Sequence, residues 1–256
     1  MFTKQDFITT DRILEAFPEH YYKTDPIISH QPMNYRGKTF YPPEKNLPII
    51  ISGHSDYAIT DKEVEHYTPK VWWTVNKQSS RIFAFPLGIT NHTNESHLHQ
   101  IYGDLDMMVD VLNQPRNMQN LVYMNFNVGT FPQERQVVWD MLKDFDWVTT
   151  TQSENSLDAR KKFLQQIRNH SFTLCPRGNG IDTHRLWETL YMGGIPIVKE
   201  NLAMDDFKDF PILFIKDWNQ VTPEFLKKQE CIIQNKNFDS EKLKISYWIE
   251  KIKNSI

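Results

Sequence analysis

The chain has 256 residues, of which 39% are hydrophobic and 24% charged, with a formal net charge of −3, the composition of an ordinary soluble globular protein. This charge excludes the basic surface typical of nucleic-acid-binding proteins and of proteins attracted to anionic membranes, so any bound anion needs a local site. Two cysteines exclude a disulfide framework, and the lack of a signal-peptide core or of an apolar run of about 18 residues predicts a cytoplasmic protein without a transmembrane segment.

The first part of the chain mixes short elements with long loops. A helix is expected near Arg12–Phe17, followed by an aromatic, proline-containing loop over residues 20–46. The continuous apolar run Leu47–Ser52 predicts a buried strand that opens into a loop at Gly53. The further elements expected here are two β-rich runs at 70–75 and 81–89, a polar loop at 91–100 and a helix within 101–114.

The second part alternates strands and helices more regularly. Pro132 suits the first turn of a helix, and Ser156 is a suitable N-cap for another. A helix over residues 183–192 is expected to stop at Gly193-Gly194. The expected strands are 120–130, 147–152, 171–175, 195–199 and 212–216, and the other expected helices are 132–145, 156–170, 223–235 and 240–253.

This alternation predicts parallel sheets flanked by helices, with right-handed crossovers. The polar segment Leu112–Asn120 contains a proline and lacks periodicity, which marks a break in the chain. We therefore predict an α/β protein of two domains, residues 1–116 and 117–256. The terminal helix around Tyr247 and Trp248 is expected to pack back on the first domain.

The segment "LCPRGNGIDTHRLWE", residues 174–188, has the composition of an anion-binding loop. It follows a predicted strand, and ligands of parallel sheets bind outside the carboxyl ends of the strands. Gly178 and Gly180 let the backbone approach a ligand closely, and Arg177 supplies a guanidinium suited to phosphate oxygens. The next helix is expected to start at Asp182 or Thr183, with its free N–H groups directed at the same anion.

The helix that follows carries a polar stripe. His184 and Glu188 are four residues apart and share one face, with Arg185 beside them. A carboxylate below a phosphate site is well placed to accept hydrogen bonds from the vicinal hydroxyls of a ribose, so the pattern predicts a nucleoside diphosphate. Arg185 and Glu188 could instead form a surface ion pair, and the glycines a simple turn. The chain contains neither a G-x-G-x-x-G after the first strand of either part nor a P-loop motif, which disfavours a dehydrogenase or a P-loop kinase.

The same segment resembles the exostosin-type glycosyltransferases. Their pattern is a strand, C-P-R-G, a short loop, and then a helix with R-x-x-E that ends before a glycine and a hydrophobic I-P strand. About thirty residues fit it firmly. The matching residues are Cys175, Pro176, Arg177, Gly178, Arg185, Glu188, Gly193, Ile195, Pro196 and Val198.

The resemblance implies a GT-B architecture, in which two Rossmann-like domains face each other across a cleft and the second binds the sugar nucleotide. It implies that Arg177 and Arg185 face the diphosphate, Glu188 the ribose, and Arg135 the donor as well. With the loop and helix start, the predicted donor-binding residues are Arg135, Arg177, Gly178, Asn179, Gly180, Asp182, Thr183, His184, Arg185 and Glu188. The implied reaction moves a sugar from a nucleoside-diphosphate sugar to a hydroxyl of a glycan or glycoconjugate, with inversion and without a metal or other cofactor.

Inversion requires a base near the acceptor, which we expect from the first domain. Asp56 is the first candidate and His54 the second, because both follow the strand that ends at Ser52. Either residue could instead belong to an ordinary loop or cap.

Two metal-binding alternatives are weaker. Asp104 and Asp106 form a D-x-D motif that could share a divalent ion, although no clear phosphate-binding unit precedes it. His92, His97 and His99 could bind zinc, but they lack a cysteine or carboxylate at a suggestive spacing. Besides an enzyme, the sequence leaves open a non-catalytic module that binds sugar nucleotides and an interaction protein of a glycan assembly complex.

Overall fold

The structure is a computed structural model that describes residues 2–19, 44, 46–53, 56–93 and 96–256, and the backbone of three short strands between residues 21 and 40. The predicted aromatic loop at 20–46 therefore lies mostly outside the described residues, as does His54. We call residues 1–116 the first half and residues 117–256 the second half.

The described residues form an α/β structure. The strands are β1 (Tyr21–Tyr22), β2 (Met33–Tyr35), β3 (Lys38–Phe40), β4 (Ile49–Ser52), β5 (Ile59–Thr60), β6 (Val71–Thr74), β7 (Lys77–Gln78), β8 (Phe83–Ala84), β9 (Asn120–Met124), β10 (Val148–Thr150), β11 (His170–Leu174), β12 (Ile195–Lys199) and β13 (Leu213–Ile215). The α-helices are α1 (Thr10–Glu15), α2 (Asp61–Tyr67), α3 (His97–Tyr102), α4 (Leu105–Leu112), α5 (Pro132–Leu142), α6 (Leu157–Asn169), α7 (His184–Tyr191), α8 (Pro223–Gln234) and α9 (Ile245–Lys253). Among the described residues, 3₁₀ turns lie at Val128–Thr130, Leu202–Phe207, Trp218–Gln220 and Ser240–Leu243.

The second half contains a five-stranded parallel sheet with the order β10-β9-β11-β12-β13. Counted along the half, this order is 2-1-3-4-5, one of the common doubly wound Rossmann-like arrangements. In such sheets the ligand crevice lies outside the carboxyl ends of the first and third strands, where the strand order reverses. Here these strands are β9 and β11, so the crevice is expected beside Met124 and Leu174.

The first half contains a four-stranded parallel sheet with the order β1-β4-β6-β8. Its central strands are short and apolar, and Ile50, Ile51 and Trp72 are fully buried. The antiparallel pair β2-β3 and the parallel pair β5-β7 form separate two-stranded ladders. The prediction of an α/β protein with parallel sheets is confirmed in both halves.

One apolar core cluster draws residues from both halves, among them Trp73 and Phe85 from the first and Trp187 and Phe207 from the second. Helix α9 belongs to the same cluster through Trp248. Its end contacts the first half, where Trp73 Nε1 donates a hydrogen bond to Ser255 Oγ at 2.8 Å. Each sheet also has an apolar cluster of its own on another face.

The residues expected at helix starts and ends are found in those positions. Pro132 occupies the first turn of α5, where its missing N–H costs nothing. Ser156 Oγ accepts a hydrogen bond from Ala159 N and caps α6. Gly193 has φ +81°, a left-handed conformation that suits glycine after a helix. No α-helix among the described residues is long and apolar enough to cross a bilayer.

Several predicted elements differ from the structure. The strand predicted over 120–130 ends at Met124, and its last three residues form a 3₁₀ turn. Part of the polar loop at 91–100 is helical, because Ser96 caps α3. The β-rich run at 81–89 forms only the two-residue strand β8. The terminal helix predicted over 240–253 is a 3₁₀ turn followed by α9. Helix α2, whose N-terminus has a capping box between Thr60 and Glu63, was not predicted.

Candidate active site

A cavity of about 580 Å³ lies at the predicted crevice of the second sheet. Asn125 and Asn127, which follow β9, line it together with Gly178, which follows β11. Gly53 and Asp56, which follow β4, line its other side. The cavity therefore lies where the carboxyl ends of both parallel sheets meet, the place where α/β proteins bind ligands.

Side chains from other parts of the chain pack closely against the two glycines of the loop. A Cβ atom on Gly178 would lie 3.1 Å from Arg135 Nη2. A Cβ atom on Gly180 would lie 3.0 Å from Asn76 Nδ2 and 3.2 Å from Asp56 Oδ1. Side chains from helix α5 and from loops of the first half thus lie close to the loop backbone, and a larger residue at either position would require them to shift by a few tenths of an ångström.

Arg135 is held against this loop from helix α5. Its Nε donates to the carbonyl of Arg177 at 2.8 Å, and Nη1 donates to the carbonyl of Asn127 at 2.9 Å. The residue is only 6% exposed. Burial, and secondarily the charge of Arg185, lowers the pKa of Arg135 to about 10. A guanidinium whose described protein partners are neutral carbonyls keeps its charge available for an anion.

Arg185 is the second guanidinium that lines the cavity. Its Nε is buried and has no hydrogen-bond partner among the described residues. The guanidinium lies 5.9 Å from the ring centroids of both Phe126 and Phe163. A buried donor without a partner is costly, and no described carboxylate pairs with Arg185 or Arg135. The two like charges together favour binding of an anion.

Glu188 does not form the surface ion pair with Arg185 that the sequence left open. Its Oε1 lies 2.7 Å from Arg160 Nη2, and the two side chains are 5% and 2% exposed. Arg160, on helix α6, also donates to the carbonyl of Tyr102 at 3.2 Å. Both residues line the cavity. The carboxylate of Glu188 is thus fixed in place by a buried arginine.

The start of α7 is attached to the first half. Asn76 Oδ1 accepts hydrogen bonds from Ile181 N at 2.9 Å and Asp182 N at 3.0 Å. These two N–H groups belong to the loop that precedes the helix, so the bonds fix the entry into α7. Thr183 is the N-cap residue, as expected, but its hydroxyl makes no capping bond to the helix.

Asp182 joins the two halves through its carboxylate. Oδ2 accepts a hydrogen bond from Leu87 N at 2.8 Å, and both carboxylate oxygens accept from Trp187 Nε1 at 2.8 and 2.9 Å. Burial raises the pKa of Asp182 to about 7. His184 joins them as well, because its Nδ1 lies 2.8 Å from the carbonyl oxygen of Gly88.

Arg177 is the predicted residue that does not line the cavity. Its guanidinium lies 4.4 Å from the ring centroid of Phe131, and it donates to the carbonyls of Gly178 and Asn179 at 3.3 and 2.8 Å. These contacts stabilise the shape of the glycine loop from outside. The other described donor-binding candidates all line the cavity: Arg135, Gly178, Asn179, Gly180, Asp182, Thr183, His184, Arg185 and Glu188.

Of the two candidate bases, Asp56 lies among the described residues. Asp56 is exposed, lines the cavity and lies beside Gly180. His54 lies outside the described residues.

The metal-binding alternatives have other roles in the described part of the chain. Asp104 accepts a hydrogen bond from Met107 N and caps α4, and Asp106 pairs with Lys4. His99 Nδ1 lies 3.2 Å from Thr93 Oγ1. The described residues contain no group of three or more histidine, cysteine or acidic side chains that could hold a metal ion.

Two residues of this site were missed by the sequence analysis, Arg160 and Asn76. Arg160 lies in an ordinary amphipathic helix, where a basic residue usually faces solvent, so no local signal marked it. Asn76 follows β6 in the same way that Asp56 follows β4. Its position after a predicted parallel strand was the one signal that could have identified it.

Comparisons with known proteins point to a glycosyltransferase. Residues 134–256 match the family model described as the RXYLT1 C-terminal domain. Ribitol-5-phosphate xylosyltransferase 1 of Homo sapiens is 21% identical to this chain over 191 residues, which are 65% of this chain and 41% of that protein. The Mus musculus protein of the same name is 22% identical over 146 residues, which are 48% of this chain and 32% of that protein.

These matches establish a distant homology to a xylosyltransferase, which is a pentosyl-transferring enzyme. The matched region of the family model begins just before Arg135 and includes the glycine loop and α7. The chain spans less than half the length of these curated relatives. The relatives use a sugar donor and an acceptor, and the glycosyltransferase part of the sequence-based resemblance agrees with this homology.

Proposed function

We propose that this chain transfers a pentosyl group, with xylosyl the first candidate, from a nucleoside-diphosphate sugar to an acceptor hydroxyl. The observation that carries the proposal is the pair Arg135 and Arg185 at the switch point of the second sheet. Both guanidinium groups line the cavity, and neither pairs with a carboxylate among the described residues. Two adjacent positive charges of this kind suit a diphosphate.

The donor would lie along the start of α7. Its diphosphate would occupy the space between the two arginines and the glycine loop, which line the same cavity. Its ribose would lie toward Glu188, which Arg160 holds within the cavity. Arg177 would act by holding the loop, since its guanidinium bonds to the loop carbonyls.

We further infer a GT-B arrangement, with the domains at 1–116 and 117–256. Its support is the cavity itself, because loops that follow strands of both parallel sheets line it. In this arrangement the second domain binds the donor and the first supplies most of the acceptor side. Asp56 belongs to the first domain, from which the sequence-based assignment expects the base, and it lines the cavity.

The proposed transfer reaction depends on the positive charges that line the cavity. An acceptor oxygen attacks the anomeric carbon while the bond from that carbon to the diphosphate oxygen breaks, and the leaving diphosphate takes the electron pair. Preorganised donors directed at such developing charge are each worth about 10²–10³ in rate. Arg135 and Arg185 would supply this stabilisation, and we propose that no metal is required.

The names of the relatives suggest the first acceptor to test, ribitol 5-phosphate. A glycan or glycoconjugate that offers a polyol hydroxyl is the wider class.

A panel of nucleoside diphosphates and their sugars, including UDP-xylose, tests the proposal by calorimetry and by product release in the presence of EDTA. We expect one nucleotide family to bind and its sugar to be consumed. Arg185→Ala should reduce turnover about 10²–10³-fold, whereas Lys143→Ala, which removes an exposed cation from the same half, should not.

Other outcomes would contradict the proposal in different ways. Binding without release of nucleoside diphosphate would indicate a non-catalytic sugar-nucleotide-binding module. No binding by any member of the panel would favour an interaction protein. Full activity of Arg185→Ala would show that the diphosphate is bound elsewhere.

A further inference from the structure

His184 occupies the junction between the donor side and the acceptor side of the cavity. It is the first residue of α7, next to Arg185, and it shares a helical stripe with Glu188. The residue lines the cavity, and its ring contacts the first half through Gly88. It is therefore placed where the two halves that would hold the donor and the acceptor meet.

The hydrogen bond to Gly88 fixes the tautomer of the ring. Nδ1 lies 2.8 Å from the carbonyl oxygen of Gly88. A carbonyl oxygen can only accept a hydrogen bond, so Nδ1 carries the proton. In a neutral imidazole, Nε2 is then the basic nitrogen, and the bond to Gly88 is the one hydrogen bond that the structure gives this ring among the described residues.

The surroundings of the ring, taken together, favour the neutral imidazole. Burial lowers the pKa of His184 below its ordinary value, whereas the hydrogen bond to Gly88 acts in the opposite direction. Three charged groups on separate elements also act on this pKa. Glu188 on its own helix and Asp56 after β4 favour the imidazolium, and Arg160 on α6 opposes it.

Asp56 is in a different position. Its Oδ1 would lie 3.2 Å from a Cβ atom on Gly180, so the carboxylate borders the loop that would receive the diphosphate. A carboxylate there is repelled by the leaving group, whereas a neutral imidazole is not. Asp56 is nevertheless close enough to His184 to stabilise a positive charge on the ring.

From this geometry we infer that His184 is the catalytic base of the transfer and that Asp56 supports it electrostatically. The inference rests on the proposed function. Nε2 accepts the proton of the acceptor hydroxyl as its oxygen bonds to the anomeric carbon, and the electron pair of the breaking bond leaves with the diphosphate. Nδ1–H remains on the Gly88 carbonyl, which orients the imidazolium.

Two substitutions separate this role from a structural one. His184→Asn places an amide N–H near the position of Nδ1, so it can keep the bond to Gly88 while it removes the basic nitrogen. Asp56→Asn removes the competing base. We would measure UDP-xylose binding by calorimetry and UDP release with water as the acceptor, across pH 5 to 8.

We expect His184→Asn to bind UDP-xylose within a few-fold of the unsubstituted protein and to release UDP about 10²–10⁴-fold more slowly. The acid limb of the pH–rate profile, expected below about pH 6.5, the ordinary pKa of histidine, should disappear in this variant. Added imidazole should restore part of the rate to His184→Ala. Asp56→Asn should keep the acid limb and lose less activity than His184→Asn.

The inference is overturned if His184→Asn retains the rate, or if Asp56→Asn alone removes both the rate and the acid limb. If His184→Asn fails to fold, imidazole rescue of His184→Ala and the Asp56→Asn profile still decide between the two bases. If the unsubstituted protein neither binds nor hydrolyses UDP-xylose while another sugar nucleotide binds, the same measurements apply with that donor. Absence of binding by every donor would reject the proposed function and the inference with it.

Discussion

The two sides of the cavity are built from different kinds of chemical groups. The second half contributes three arginines and three acidic side chains, namely Arg135, Arg160, Arg185, Glu154, Asp182 and Glu188. The first half contributes mainly neutral groups: the Asn76 amide, the Leu87 N–H and the Gly88 carbonyl, each bonded to the segment 181–184. One side is therefore suited to bind an anion, and the other holds the start of α7 in place. A glycine loop alone would be too free to form a precise site, and its rigidity comes from contacts that are distant in sequence.

The largest loss of stability is expected at the buried ion pair of Arg160 and Glu188. Arg160→Ala would leave Glu188 as an uncompensated carboxylate in a nearly closed environment. Loss of one partner of a buried pair costs about 3–5 kcal/mol, so the free energy of unfolding should fall by that amount in urea titrations. Lys208→Ala breaks an exposed pair with Asp205 and should leave the free energy of unfolding almost unchanged, because water screens such pairs. Equal losses in the two variants would contradict the buried pairing.

The supporting role of the first half can be tested at Asn76. Asn76→Ala removes the acceptor of two backbone N–H groups, and each unsatisfied buried donor costs about 1–3 kcal/mol. We expect a lower melting temperature and weaker donor binding, since the loop loses its anchor. Asn235→Ala, at an exposed helix end, is the matched control. Unchanged donor binding in Asn76→Ala would mean that the second half forms the site by itself.

The contact through Asp182 predicts a dependence of stability on pH. Because the pKa of Asp182 is raised to about 7 in the folded protein, the folded state binds more protons than the unfolded state between about pH 4 and pH 7. This carboxyl should therefore reduce stability as pH rises through that window, by up to about 1.4 kcal/mol per pH unit. Chemical unfolding of the wild type and of Asp182→Asn at several pH values measures the difference. A difference that stays constant across the window would show that Asp182 does not titrate there.

The smallest effect is expected at Arg177, although the sequence places it foremost in the motif. Its guanidinium packs on Phe131 and bonds to loop carbonyls outside the cavity. Removal of these partly exposed contacts should cost about 1 kcal/mol, so Arg177→Ala should weaken donor binding less than tenfold. Calorimetric titration of Arg177→Ala and of Arg185→Ala with the donor compares the two losses of affinity. A loss as large as that of Arg185→Ala would indicate that Arg177 contacts the phosphates directly.

The sequence by itself determined the alternation of strands and helices and the parallel sheets, and it predicted the segment 174–188 as a ligand-binding loop. These features depend on apolar periodicity, caps and glycines, which act over a few residues. It also predicted the polar stripe of His184, Arg185 and Glu188, because the spacing of a helix is fixed.

Only the tertiary structure decided which groups meet across the cavity. It paired Glu188 with Arg160, attached the loop to Asn76, and turned Arg177 away from the cavity lining while Arg135 entered it. These contacts join residues that are tens to more than a hundred positions apart in the chain. Their formation depends on how the two sheets pack around a shared apolar core, which no local pattern encodes.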